Sequence, residues 1–133
     1  NRVESNQPYL DRLPDLLRTL AQGDLPPGYE LSGEVPGSHP ACEASPAFEV
    51  SFEGGQYAVG ARLEVFIGVV ENTGTTVTEF QEVWCGTSEV VAVALWPSVV
   101  LQPGELTEIY IVRRLVFPEE QGRDRPSLLL TAQ

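Results

Sequence analysis

The apolar positions change rhythm once along the chain. Leu10, Leu13, Leu16, Leu17, Leu20 and Ala21 recur at three- and four-residue spacings, which gathers them on one face of a helix. Pro14 would disturb a helix interior, because it removes a hydrogen bond and crowds the preceding turn. It is accommodated if Asp11 is the N-cap, since first-turn amides have no partner within the helix. A start near Pro8 with a kink is the alternative. Gly23, followed by Pro26-Pro27-Gly28, predicts the stop.

After Gly28 the period falls from near 3.6 to near 2. Phe48, Val50 and Phe52 alternate with Glu49, Ser51 and Glu53, and Glu53-Gly54-Gly55-Gln56 reads as a turn before Tyr57 and Val59. Leu63, Val65, Ile67 and Val69 alternate next, up to a turn at Asn72-Thr73-Gly74-Thr75. Further strands are expected at Val77 to Trp84, Val90 to Leu95, Val99 to Leu101, Leu106 to Val116 and Ser127 to Thr131. Pro103-Gly104 marks a type II turn, with Pro presetting one φ and Gly supplying the positive one. Gly33 to Pro46 reads as a loop or edge, and Pro118 to Pro126 as a solvated connection. Seven or eight short strands punctuated by turns, without βαβ alternation, predict a mainly β fold. The expectation is an antiparallel β-sandwich, Ig-like or small barrel-like, with one N-terminal α-helix. Residues 1–28 would be helix and Pro-rich connector, and residues 29–133 the sandwich.

Composition narrows the function. The 133 residues hold 8 basic and 19 acidic side chains, for a net charge of −11. Phosphate neutralisation needs a basic footprint, so no nucleic-acid role is expected. The same surplus disfavours docking on anionic lipid, and no apolar run approaches a membrane span, so no direct membrane insertion is expected. There is no Met, which suggests a fragment or processed product of a longer chain.

Cys42 and Cys85 are the two cysteines. One reading joins them by a disulfide, appropriate to an oxidising compartment such as a periplasm, and the other leaves two buried thiols. The Pro-, Ser- and Gly-rich surroundings of Cys42 favour the bridge, because such a loop benefits from a staple. Trp84 is expected to pack beside it.

Catalytic chemistry finds little support. His39, between Ser38 and Pro40, lacks the rigid support a general base needs and reads as a solvated surface residue. No nucleophile elbow or phosphate-binding glycine motif is present. Glu64 with Glu71, or Glu105 with Glu108, are the candidate carboxylate pairs, but a Glu between apolar neighbours on a strand normally faces solvent. Arg113 and Arg114 must point to opposite faces of their strand, so they form no single patch, and a cross-strand Glu is the expected partner of at least one. Cofactors and metals are not expected. Such a domain binds partners, through strand edges or exposed aromatics. The segment before Phe48 and the strand after Pro126 are the expected edges. Phe48, Phe52 and Trp96 are the candidate partner contacts.

Several runs carry a resemblance. Tyr9-Leu10-Asp11-Arg12-Leu13, Leu16-Leu17-Arg18-Thr19-Leu20-Ala21-Gln22-Gly23 and Pro26-Pro27-Gly28-Tyr29 resemble the opening of the C-terminal half of the TraK family. Val70-Glu71-Asn72-Thr73-Gly74, Val91 to Pro97 and Leu101-Gln102-Pro103-Gly104-Glu105 through Val112 are similar to its later part. The resemblance covers residues 8–116, and Pro14 departs from it. TraK proteins are secretin-like periplasmic components of F-type conjugative type IV secretion systems. The resemblance therefore implies a non-enzymatic periplasmic domain of an outer-membrane core complex. It would bind an outer-membrane lipoprotein of the TraV type and other channel subunits, with ring multimerisation through the full-length protein. A carbohydrate-binding or adhesive sandwich module is the alternative.

Overall fold

The computed structural model describes residues 13–43, 46–86 and 89–115. Helix α1 (Leu13–Ala21) is followed by β1 (Glu30–Ser32), β2 (Phe48–Val59), β3 (Leu63–Asn72) and β4 (Thr78–Glu79). A 3-10 turn (Glu82–Cys85), β5 (Val90–Trp96), β6 (Val100–Leu101) and β7 (Leu106–Arg114) complete the order. Five strands form an antiparallel sheet in the order β1-β2-β3-β7-β5, and β4 pairs with β6 as a separate ribbon. Among the described residues the architecture is mainly β with one short helix ahead of the strands, as the change of rhythm predicts. Among the described residues the second sheet is this two-stranded ribbon, and the helix takes the opposite side of the large sheet.

The described helix runs from Leu13, so Pro14 falls in its first turn, where the N–H that proline lacks would have no intrahelical partner. Asp11, the expected cap, lies outside the described residues. At the other end Gly23 N donates to Leu20 O (2.9 Å) and Asp24 N to Thr19 O (3.0 Å), the paired closure of a Schellman motif. Leu16 and Leu20 are buried against Ala58, Leu63, Val65 and Val112, which defines the helix side of the sheet. On the other side Phe48, Phe52, Phe66, Val70, Ile109 and Ile111 meet Phe80, Leu95, Leu101 and Cys85. We call this the disulfide side.

β3 is buried on both faces over Leu63–Gly68, because helix and ribbon cover it from opposite directions. The expected turn at residues 53–56 is instead an irregularity within one continuous strand. Ser51 pairs with Val69 and Gln56 with Ile67, so four residues of β2 bulge opposite Gly68 alone. Gly68 makes that bend possible. A Cβ there would stand 2.5 Å from Ser51 O and 2.6 Å from the Phe52 ring.

Val77 to Trp84, expected as one strand, divides into the two-residue β4 and the 3-10 turn, because Phe80 and Trp84 turn inward to pack edge-to-face at 4.9 Å. β1 falls between Gly28 and Gly33, a stretch to which the alternation assigns no strand. The expected strand at Ser127–Thr131 lies outside the described residues.

The two sheets are joined through Asn72, whose side chain is fully buried. Its Nδ2 donates to Leu101 O (2.8 Å) and Thr76 O (3.0 Å), while its Oδ1 accepts from Gly74 N (2.9 Å). Gly104, at φ 83°, closes the type II turn in which Glu105 N donates to Gln102 O at 2.9 Å.

Candidate functional site

Cys42 and Cys85 form the disulfide. It ties the Pro- and Gly-rich loop to the end of the 3-10 turn, where Glu43 N also donates to Trp84 O at 2.9 Å. Trp84 is half-buried in the same cluster, 5.8 Å from the Phe48 ring. With the two cysteines 43 positions apart in sequence, the cross-link restricts the unfolded chain by about 4 kcal/mol in the entropy model.

A second pin holds this loop. Glu64 and Arg113 are directly opposite in the β3–β7 register and bond at 2.7 Å. Arg113 also donates to Ser38 O (2.8 Å) and lies over the Phe66 ring at 4.6 Å. Tyr57 Oη donates to the other oxygen of Glu64 at 2.5 Å. The expected Arg–Glu cross-strand pair is thus present. The expectation of a solvent-facing Glu64 is corrected, because the residue is only 7% exposed. Its strand is covered on both faces, so charge pairing, and not hydration, satisfies the carboxylate. Burial, then the bond to Glu64 and its negative charge, push the Tyr57 phenol up to about 12.

The candidate catalytic groups do not come together. Glu64 and Glu71 are separated by an odd number of steps along β3 and project from opposite faces. Glu105 accepts from Gln102 N at 2.8 Å within its own turn, and Glu108 accepts from the Tyr110 hydroxyl. His39 is not a free surface imidazole. It is half-buried, its ring centre 4.5 Å from that of Phe52 and its Nδ1 3.1 Å from Pro40 O. No cluster of three His, Cys, Asp or Glu side chains with metal-binding geometry occurs among the described residues.

Of the three candidate partner contacts, Phe48 and Phe52 are core side chains, each 7% exposed. Phe52 fills the space above Gly68, and Phe48 packs against Phe80 at 5.3 Å. Their rings serve packing in this fold. Trp96, 55% exposed, stands at the surface at the end of β5. Among the described residues the sheet ends at β1 and β5. One edge is β1, just ahead of the Gly33 to Pro46 segment expected to supply it. The other is β5, Val-Val-Ala-Val-Ala-Leu-Trp, which carries no charge. Its edge position is visible only once the β5–β7 pairing is known.

Fold and surfaces together define a disulfide-bonded, mainly β domain that offers strand edges and an exposed tryptophan. Residues 1–113 match the family described as the TraK C-terminal domain, and the chain belongs to that family. It is also similar to a protein described as a type 3 secretion system secretin of Pseudomonas syringae pv. syringae, at 31% identity over 93 residues. That match spans 69% of this chain and 13% of the secretin. Family and relative point to a structural component of a secretion system. No helix among the described residues is long and apolar enough to cross a membrane.

Proposed function

We propose that this domain is a non-enzymatic assembly module in the outer-membrane core complex of a conjugative type IV secretion system. It works in the periplasm, takes an extended segment of a TraV-like lipoprotein by strand addition, and joins a ring through the full-length protein. The observation that carries the reading is the β5 edge. Seven consecutive uncharged residues, without Pro or Lys to blunt them, form the outer strand of the described sheet. An edge of that kind is a template for main-chain pairing. Family membership and the disulfide are in keeping with an envelope component.

A carbohydrate-binding or adhesive module would need several exposed rings in one plane. Tyr110 is buried and Trp84 half-buried, so among the described residues Trp96 is the large aromatic that stands exposed. The test is a titration of the isotope-labelled chain with synthetic peptides from candidate lipoproteins. Amide shifts running along residues 90–96 are expected. Absence of binding at high micromolar peptide would overturn the reading.

A further inference from the structure

The helix covers only part of its side of the sheet. Directly opposed residues in the strand register share a face, so successive rows on the helix side can be followed outward. The row of Ala58, Val65, Val112 and Ala92 lies under the helix. Next comes Gln56, Ile67, Tyr110 and Ala94. Beyond it stand Ser51, Val69, Glu108 and Trp96, and then Glu49, Glu71 and Leu106. A groove of about 400 Å³ runs between the end of the helix and this open half, with Gln56, Ile67, Tyr110 and Glu108 along the sheet wall and Leu25 and Leu31 on the other.

Two properties of this half-face stand out. Leu25, Leu31, Val69, Trp96 and Leu106 belong to it, which is five of the eight exposed large apolar side chains among the described residues. Clustering of that kind marks an interaction surface, whereas scattered apolar residues do not. The charges here are also of one sign. Glu108 lies between Val69 and Trp96, Glu49 is directly opposite Glu71, and Asp24 lines the groove. Like charges facing each other across strands repel. The four described arginines are elsewhere. Arg18 pairs with Asp15 on the helix, Arg113 turns to the disulfide side, and Arg62 and Arg114 lie at the hairpin end of β3 and β7.

We propose that this half-face docks a partner segment carrying an arginine between apolar residues, with the guanidinium stacked on Trp96 and bonded to Glu108. The Tyr110 hydroxyl already donates to one oxygen of Glu108 and fixes the carboxylate. The indole beside it offers a face for the planar cation. Val69 and Leu106 supply apolar contacts beside Glu108, and the opposed Glu49 and Glu71 favour a cationic occupant. This surface is a sheet face and needs no added strand; it shares Trp96 with the β5 edge, and shifts at Val69 and Leu106 without shifts along residues 90–95 distinguish it from strand addition.

The test is selection of random dodecapeptides displayed on phage against the folded full chain, followed by titration of the enriched synthetic peptides. Expected are sequences with Arg next to Leu or aromatic residues, shifting the Trp96 indole and the amides of Val69 and Leu106. Trp96→Ala and Glu108→Gln should each weaken binding about tenfold, and Glu108→Lys should abolish it, with thermal unfolding unchanged for the exposed Trp96→Ala. Enrichment of acidic or purely apolar peptides, or affinity indifferent to Trp96→Ala and Glu108→Gln, overturns the proposal. So do cross-relaxation contacts from residues 116–133 to this face in the free chain, or self-association abolished by Glu108→Lys, because the occupant would then be the chain's own tail or a second copy.

Discussion

Replacing Asn72 with alanine should destabilise the domain by about 3–4 kcal/mol. The side chain makes three hydrogen bonds from a fully buried position. A neutral bond contributes about 1 kcal/mol net, and a buried group left without a partner costs about 1–3 kcal/mol. Thr76 is exposed and can recover water, but Leu101 is buried in the ribbon and its carbonyl cannot do so easily. The penalty should therefore come mostly from that carbonyl and from the turn amide of Gly74. Urea denaturation followed by far-UV circular dichroism measures it directly, and the thermal midpoint should fall by about 10 °C. Asn72→Asp sharpens the test, since it keeps the acceptor for Gly74 and turns a carboxylate toward two carbonyl oxygens. That site raises the folded-state pKa of the aspartate above its unfolded value. The variant's stability should thus be greatest below the unfolded pKa near 4 and fall as pH rises through the folded value. A loss under 1 kcal/mol for Asn72→Ala, or an Asn72→Asp variant whose deficit does not grow with pH, would refute the coupling of the two sheets through this residue.

Gly68→Ala should cost about 1–3 kcal/mol, because the new methyl meets Ser51 O and the Phe52 ring at overlapping distances; a stability equal to the parent in the same urea assay would contradict that close approach. Removing the disulfide by Cys42→Ser with Cys85→Ser should cost about 4 kcal/mol, and added reductant should then shift the parent but not the double variant. Glu64→Gln should cost about 3 kcal/mol by leaving the Arg113 charge without its anion. The same substitution should lower the Tyr57 phenol from about 12 without returning it to 10, since burial is the larger cause; absorbance near 295 nm reads the titration. Both Tyr57 and Tyr110 are raised by burial and a carboxylate partner, so the folded state holds their protons more tightly. Stability should accordingly fall as pH rises above 10, and an alkaline stability plateau to pH 12 would count against these contacts.

Much of this fold is legible in the chain's rhythm. The leucine spacing from Leu13 to Ala21 gives a helix whose buried residues are those the period selects. The turn chemistry at Gln102-Pro103-Gly104 gives its geometry outright. Elsewhere local signals mislead. Gly54 and Gly55 look like a hairpin turn, yet β2 continues because Gly68 on the neighbouring strand leaves room for the bulge. Glu64 looks solvated, and only the distant Arg113 explains its burial. Phe48 and Phe52 read as candidate partner contacts until the ribbon and 3-10 turn close over them. Trp96 is legible as a surface ring, but its neighbours Glu108 and Val69 come from strands 12 and 27 residues away, so the face they share exists only in three dimensions.

The placement of β3 beside β7 also bears on the order in which the chain can fold. These strands pair from Leu63 with Arg114 to Glu71 with Leu106, so their contacts span long stretches of sequence. A chain emerging from its N-terminus presents β2 and β3 well before β7 exists. During that interval the hairpin carries Val65, Phe66, Ile67 and Val70 along an open backbone edge, which is the kind of segment that self-associates. The ribbon that will cover one of its faces is also incomplete until β6 is made. Early folding should therefore stall at a sticky hairpin until residues 106–114 appear and pair with the open edge of β3. A truncation series ending before and after β7 would show that change as a switch from chaperone-bound to soluble product.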